Sequence, residues 1–362
     1  MNTSGLNSFI VILIYGSLVL LSLLKLANPL RVNHKANFWF GIFLFLWSTF
    51  WLDEVLFLIT GSIVEFHSLF WVRFIQFFTP IVFYFSVLFY TNPSFTFKLT
   101  DVKFLILPVA FLVCLVLIKL GYVKPFEYIS IILILIQALF YTVLSYITIR
   151  KHQKKIQQFS SNTEGINLNW LEYIILVLLI VNIIYVIYNL FYDPKSLNFF
   201  INAVFLSVIY WVGYYSMKQK EIYPLEEKQR QELISMDEDS DPEEVKRKLI
   251  SDEELAKIKT SLEGIMELQK PYLDSELNLI KLAEMLSVST HHLSYVINTG
   301  FGKNFFQYVN EYRVDYAKRL LKEPNNKLSI LGIAYESGFN SKTSFNTTFK
   351  KVTGQTPSEF KK

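Results

Sequence analysis

Leu279-Ile-Lys-Leu-Ala-Glu-Met-Leu286, then Ser287-Val-Ser289, then Thr290-His-His-Leu-Ser-Tyr-Val-Ile-Asn298 is the stretch whose reading decides the fold. Two short helices set steeply against each other account for it: small Ala283 lets them approach, Val288 plugs the corner, and Ser289 caps the second helix. The pattern returns from Ser329, where Ile330-Leu-Gly-Ile-Ala-Tyr-Glu-Ser337 precedes the turn Gly338-Phe-Asn340 and a further helix over 342–352. Ala283 matches Ala334, Ser287 matches Gly338, Val288 matches Phe339, Ile297 matches Phe349, and Gly302 matches Gly354. Two helix-turn-helix copies some 51 residues apart form an internal repeat, far harder to obtain by chance than one copy. Between them, Phe305, Tyr308, Val309, Tyr312, Tyr316, Leu320 and Leu321 fall at helical spacing, which predicts a long helix over 304–321 that fixes the separation of the halves.

The other end of the chain differs in kind. At 52% hydrophobic and 17% aromatic over 362 residues, the sequence is too apolar for an ordinary soluble protein, and the excess lies N-terminal. Seven stretches, 6–26, 37–60, 69–91, 104–120, 126–149, 170–192 and 197–217, are each close to the roughly 20 residues a helix needs to cross a bilayer. The first lacks a preceding basic residue and a small-residue cleavage pattern, and Lys25 and Arg31 follow it, so it is read as an uncleaved span. Cations gather after stretches one, three and five: Arg31, His34 and Lys35; Lys98 and Lys103; Arg150, Lys151, Lys154 and Lys155. The rule that basic loops stay inside puts the N-terminus outside and the C-terminal part in the cytoplasm, which requires an odd number of spans. The one cysteine, Cys114, lies in the fourth stretch and permits no intrachain disulfide.

After Met217 the composition turns to Lys, Glu and Gln, with the acidic run Met236-Asp-Glu-Asp-Ser-Asp-Pro-Glu-Glu244 and helix-interrupting Pro224 and Pro242. The domain plan is therefore a bundle over 1–217, a charged stalk over 218–259 and a double helix-turn-helix domain over 260–362. Ser251 with Glu254 makes a capping box, and Leu255, Ile258, Leu262 and Ile265 form an apolar stripe expected to pack on its own domain.

Tyr312-Arg313-Val314 with Ala317, then Ile330, Ile333, Ala334, Gly338 and Phe339, then Phe345, Phe349-Lys-Lys351, Gly354, Thr356 and Pro357 resemble the DNA-binding domain of the AraC/XylS family of bacterial transcription regulators. The resemblance covers residues 277–360. It implies two recognition helices in successive major grooves of double-stranded DNA, and RNA polymerase as a partner. Carried over, the base-facing candidates are Thr290, His291, Ser294, Tyr295 and Asn298, then Asn340, Lys342, Thr343, Asn346 and Thr347. Thr347, Ser294 and Tyr295 depart from the family, which often has basic residues there. From Thr260 onward 13 Lys and Arg face 10 Asp and Glu, a mild excess, but Lys342, Lys350, Lys351, Lys361 and Lys362 gather around the second recognition helix.

Within the bundle, the costly residues are Asp53 and Glu54 in the second stretch and Arg73 with Gln76 in the third. Asp53 and Arg73 reach similar depths and are positioned to pair. That pair is either a packing contact or, with Glu54 and Asn182 or Asn189, the floor of a pocket for an unknown small ligand. Tyr185 and Tyr188 are further pocket candidates. Trp39, Trp71, Trp170 and Trp211 near span ends read as interfacial anchors.

Catalysis finds no support. Adjacent His291 and His292 point about 100° apart on a helix and cannot share a metal, and no phosphate-binding glycine loop, Gly-x-Ser-x-Gly or kinase constellation occurs. No cofactor, metal or catalytic residue is expected. The expectation is an all-α protein: a seven-helix transmembrane bundle, then a cytoplasmic domain of two helix-turn-helix subdomains joined by a long helix. Its function would be one-component transcription regulation, with a homodimer among the admissible states. The alternatives are a membrane receptor whose cytoplasmic domain acts by protein–protein interaction, and a reader released by cleavage of the stalk.

Overall fold

The computed structural model describes residues 3–62, 70–191, 197–223 and 250–361. The side chains of Asn182, Tyr185, Tyr188 and Asn189, and the stalk from 224 to 249, lie outside the described residues. Packing divides the chain into two units. One comprises Met1–Lys151 and Leu168–Tyr223; the other comprises His152–Asn167 and Pro224–Lys362.

The first unit is built from α1 (Thr3–Ala27), α2 (His34–Ser48), α3 (Leu52–Thr60), α4 (Phe70–Gln76), α5 (Thr79–Thr91), α6 (Ile106–Lys119), most of α7 (Val123–Phe159), α8 (Asn169–Phe191) and α9 (Leu197–Lys218). Among the described residues, six helical segments are long and apolar enough to cross a membrane. The remaining expected stretch, 170–192, coincides with α8, a helix of 23 residues. Two expected spans are broken: a 3-10 turn at Thr49–Trp51 separates α2 from α3, and 77–78 separate α4 from α5. Broken helices free backbone carbonyls that an apolar setting cannot hydrate. Side-chain amides supply the partners: Gln76 Nε2 donates to Thr49 O at 2.8 Å, and Gln137 Nε2 donates to Phe77 O.

Several buried polar groups in this unit are likewise joined. Lys25 Nζ donates to Ser216 O at 2.6 Å, Tyr90 OH donates to Asn37 Oδ1 at 2.7 Å, and Asn37 Nδ2 donates to Asn28 Oδ1 at 3.1 Å. Trp170, expected as an interfacial anchor, is instead buried, and its indole N–H donates to Gln219 Oε1 at 2.7 Å. Outward faces are apolar; on α7 alone Ile132, Leu135 and Leu139 are more than half exposed.

α7 runs for 37 residues, roughly 55 Å at the helical rise, well beyond the roughly 30 Å of a hydrocarbon core. Its charged end from His152 belongs to the second unit.

The second unit adds α10 (Asp252–Leu268), α11 (Leu279–Leu286), α12 (Thr290–Tyr295), α13 (Phe305–Lys322), α14 (Ile330–Glu336), α15 (Lys342–Thr353) and α16 (Pro357–Lys361). Ser251 caps α10 by accepting from Glu254 N at 3.1 Å. The α10 stripe packs within its own unit, against Ile250 and Val296, with Met266 rather than Ile265 as its last buried member. Around α13, Val314, Ala317, Leu321, Ile333, Ala334, Phe339, Phe345 and Phe349 close a single apolar core.

Candidate nucleic-acid interface

Each half-reader is made by the same local devices. In the first, Asn278 caps α11 by accepting from Lys281 N at 2.9 Å, Ser287 turns the chain with φ 56°, and Ser289 Oγ accepts from His292 N at 3.1 Å to start α12. In the second, Ser329 Oγ accepts from Gly332 N at 3.0 Å, Gly338 turns with φ 82°, and Ser341 Oγ accepts from Ser344 N at 3.1 Å to start α15. The left-handed turn residue and the serine cap thus recur. The second corner is one residue longer, because Asn340 intervenes before its cap.

At the second corner glycine is required. A Cβ on Gly338 would stand 2.3 Å from Tyr272 O and 3.1 Å from Arg313 Nε. Ser287 keeps its side chain in solvent, so the first corner tolerates a residue with a Cβ.

The reading faces differ too. On α15, Phe345, Thr348 and Phe349 turn inward, leaving Lys342, Thr343, Thr347 and Lys350 exposed and Asn346 half-buried; Asn340 before the helix is half-buried. Amide, hydroxyl and ammonium groups on one helix face suit base edges and phosphates respectively. On the first half, Asn298 is exposed and donates through Nδ2 to Ser294 Oγ at 3.4 Å, and His291 and Ser294 are half-buried. Thr290 is only 4% exposed, and Tyr295 leans on the cluster of Ile250, Ile258 and Val296. Those two residues therefore face the core of the unit. α12 also ends earlier than the spacing predicted, passing into a π turn at Val296–Gly300.

Arg313 holds the unit together. The residue is 1% exposed. Nε donates to Tyr272 O at 2.7 Å, Nη1 to Ser161 O at 3.1 Å and Asn310 Oδ1 at 3.3 Å, and Nη2 to Ser161 Oγ at 2.9 Å and Asp274 O at 2.8 Å. Burial lowers its pKa to about 10, opposed by the charges of Asp274 and Glu276. The fork geometry of arginine lets one side chain answer five acceptors. Ser161, from the connection between α7 and α8, is the partner that sequence reasoning did not find.

In the bundle, Arg73 Nη2 and Asp53 Oδ2 form an ion pair. Arg73 Nη1 also donates to Gln76 Oε1 at 3.2 Å. Glu54 joins a separate chain: Asn7 Nδ2 donates to Glu54 Oε1 at 3.1 Å, Asn202 Nδ2 to Asn7 Oδ1 at 3.0 Å, and Trp51 Nε1 to Asn202 Oδ1 at 3.1 Å. Both networks border the helix breaks. Among the described residues no group of His, Cys, Asp and Glu is arranged to hold a metal.

Residues 282–362 match a helix-turn-helix domain family. Over 102 residues the chain is 30% identical to the HTH-type transcriptional regulator GlxA of Rhizobium meliloti, covering 28% of this chain and 31% of that protein. It is 35% identical over 86 residues to an uncharacterized HTH-type transcriptional regulator of Staphylococcus aureus, covering 24% of this chain and 11% of that one. The chain thus spans a third or less of these relatives. Among solved structures it is similar to the C-terminal domain of the two-component response regulator yesN from Fusobacterium nucleatum, at 33% identity, 29% of this chain, 97% of that one and a TM-score of 0.26. These relatives carry the names of regulators rather than enzymes. The two capped half-readers and this match make residues 282–362 a helix-turn-helix domain of the AraC type.

Proposed function

We propose that this protein is a membrane-embedded, one-component transcription regulator, whose bundle controls sequence-specific DNA binding by the double helix-turn-helix unit. The observation that carries the reading is the presence, in one chain, of six helices fit to span a bilayer and of an AraC-type DNA-reading domain. The cationic connections support an inner-membrane bundle with the N-terminus outside and the reader in the cytoplasm. Further support comes from His152–Asn167, which carries Lys154 and Lys155 of the most basic connection and packs in the same unit as the reader, consistent with both lying on one side of the membrane.

Asn340, Lys342, Thr343, Asn346, Thr347 and Lys350 engage one major groove; His291, Ser294 and Asn298 engage the next. Bending of the broken helices around the Asp53–Arg73 pair gives the bundle two packings, and a small polar ligand from the outer side selects between them. RNA polymerase is the further partner, and a second copy of the chain is compatible with the two-groove arrangement.

The test has two arms. A reporter that is active only in the cytoplasm, fused after Lys362, is expected to be active, and the protein is expected in the membrane fraction. Purified full-length protein is expected to bind duplex DNA with an affinity that falls steeply with salt. Recovery as a soluble protein, or DNA affinity indifferent to salt, would overturn the proposal. Arg73→Met is expected to leave protein level unchanged while fixing reporter transcription at one value.

A further inference from the structure

The connection between α7 and α8 is more than a tether. Ser161 is 2% exposed; besides accepting from Arg313, its Oγ donates to Leu277 O at 2.5 Å and its carbonyl accepts from Asn310 Nδ2 at 3.0 Å. Ser160 bridges Asn278 in antiparallel fashion. Gln157 Oε1 accepts from Asn304 Nδ2 at 3.4 Å. Ser341 Oγ donates to the Glu164 carboxylate. His152 Nε2 and Ile166 O, 2.9 Å apart, close the segment on itself.

The three outer contacts share one property. Asn278, Asn304 and Ser341 are the capping residues of α11, α13 and α15. One segment therefore touches the start of a helix in the first half-reader, in the connector and in the second half-reader. A displacement of that segment reaches all three, and it is the direct continuation of α7.

Glu164 adds a sign to the coupling. Recognition helices meet DNA through their N-terminal residues, and helix N-termini attract phosphate through free N–H groups and the helix dipole. An exposed carboxylate bonded at the cap of α15 presents negative charge where the duplex approaches.

We infer that His152–Asn167 is the transmission element of this regulator: docked through Ser161 on Arg313 and Asn310, it holds Glu164 at the cap of the second recognition helix and restrains DNA binding until α7 moves. This rests on the proposed function and names its regulation.

The experiment uses the full chain in lipid nanodiscs and a duplex selected by it from a random pool, with affinity read by fluorescence anisotropy at several salt concentrations. Glu164→Gln is expected to bind about threefold or more tighter than wild type, the scale of one charge at a helix terminus. Glu164→Lys is expected to bind tighter still, with the salt dependence steeper by about one ion. Because Glu164 is exposed, both variants are expected to melt as wild type does. Equal or weaker binding by both, with unchanged melting, would overturn the inference while leaving the function standing. If neither wild type nor variants select or bind any duplex, the functional reading falls and takes this inference with it.

Discussion

The two half-readers are copies of one motif made to different tolerances. The second is packed around Gly338, whose corner leaves no space for a Cβ, and lies in one apolar core with the connector. Its α15 runs for 12 residues and carries Lys342, Lys350 and Lys351. The first turns on an exposed serine, its α12 is only 6 residues long before a π turn, and its candidates include no Lys or Arg. The difference assigns roles. Under the proposed function, the second half would fix register and contribute most of the phosphate attraction, and the first, with less of its geometry enforced, would adjust to the neighbouring groove.

Substitutions that break the rigid half should cost most. Arg313→Met removes donors from Tyr272 O, Asp274 O and Ser161, and is expected to destabilise the second unit by about 3 kcal/mol or more, because each buried acceptor left without a donor costs about 1–3 kcal/mol. Thermal unfolding of the full-length protein, followed through hydrogen exchange in α13, reads this; a loss under about 1 kcal/mol would deny Arg313 its role. Gly338→Ala is expected to cost about 3 kcal/mol, from a clash with backbone plus strain at positive φ. Its counterpart Ser287→Gly should change stability by less than about 1 kcal/mol, since a non-glycine residue there already bears the left-handed penalty. Comparable losses at the two corners would erase the distinction.

On DNA the asymmetry should appear in the salt dependence. Lys342→Ala is expected to weaken binding to all duplexes and to lower the salt slope by about one, whereas Asn298→Ala, which removes no charge, should leave the slope unchanged. Titrating affinity against salt for both variants decides it, and equal slopes would contradict the assignment.

The smallest expected effect is one of pH. Tyr308 on α13 has its phenol pushed well above the ordinary range, first by burial, then by the neighbouring Tyr312 hydroxyl and charge and by Glu263. A raised folded-state value means its contribution is complete below about pH 10 and is lost as pH rises above that. Melting temperature should therefore be flat around neutrality and fall in the alkaline range, and Tyr308→Phe should soften that fall.

Much of this was legible in the chain. The matched pairs Ala283 with Ala334 and Ser287 with Gly338 located both corners, and the apolar spacing from Phe305 to Leu321 located α13, because periodicity and capping are local properties. The pairing of Asp53 with Arg73 followed from depth along two helices. The burial of Thr290 and the lean of Tyr295 on the Ile250 cluster were not legible, since both depend on packing against segments distant in the chain. Nor was the docking of Ser161 on Arg313: the two are separated by 152 residues, and nothing in a serine flanked by Ser160 and Asn162 announces a buried arginine partner. The burial of Trp170 was missed because an indole near a span end satisfies interfacial and interior positions equally well.

The most direct measurement is hydroxyl-radical footprinting of the full-length protein, in nanodiscs, on a duplex it selects. The account predicts two protected patches on one face of the duplex, about one helical turn apart, the stronger being lost in Asn346→Ala with Thr347→Ala while the weaker persists in part. A single patch, or uniform protection indifferent to those substitutions, would contradict a two-groove reader anchored by its second half.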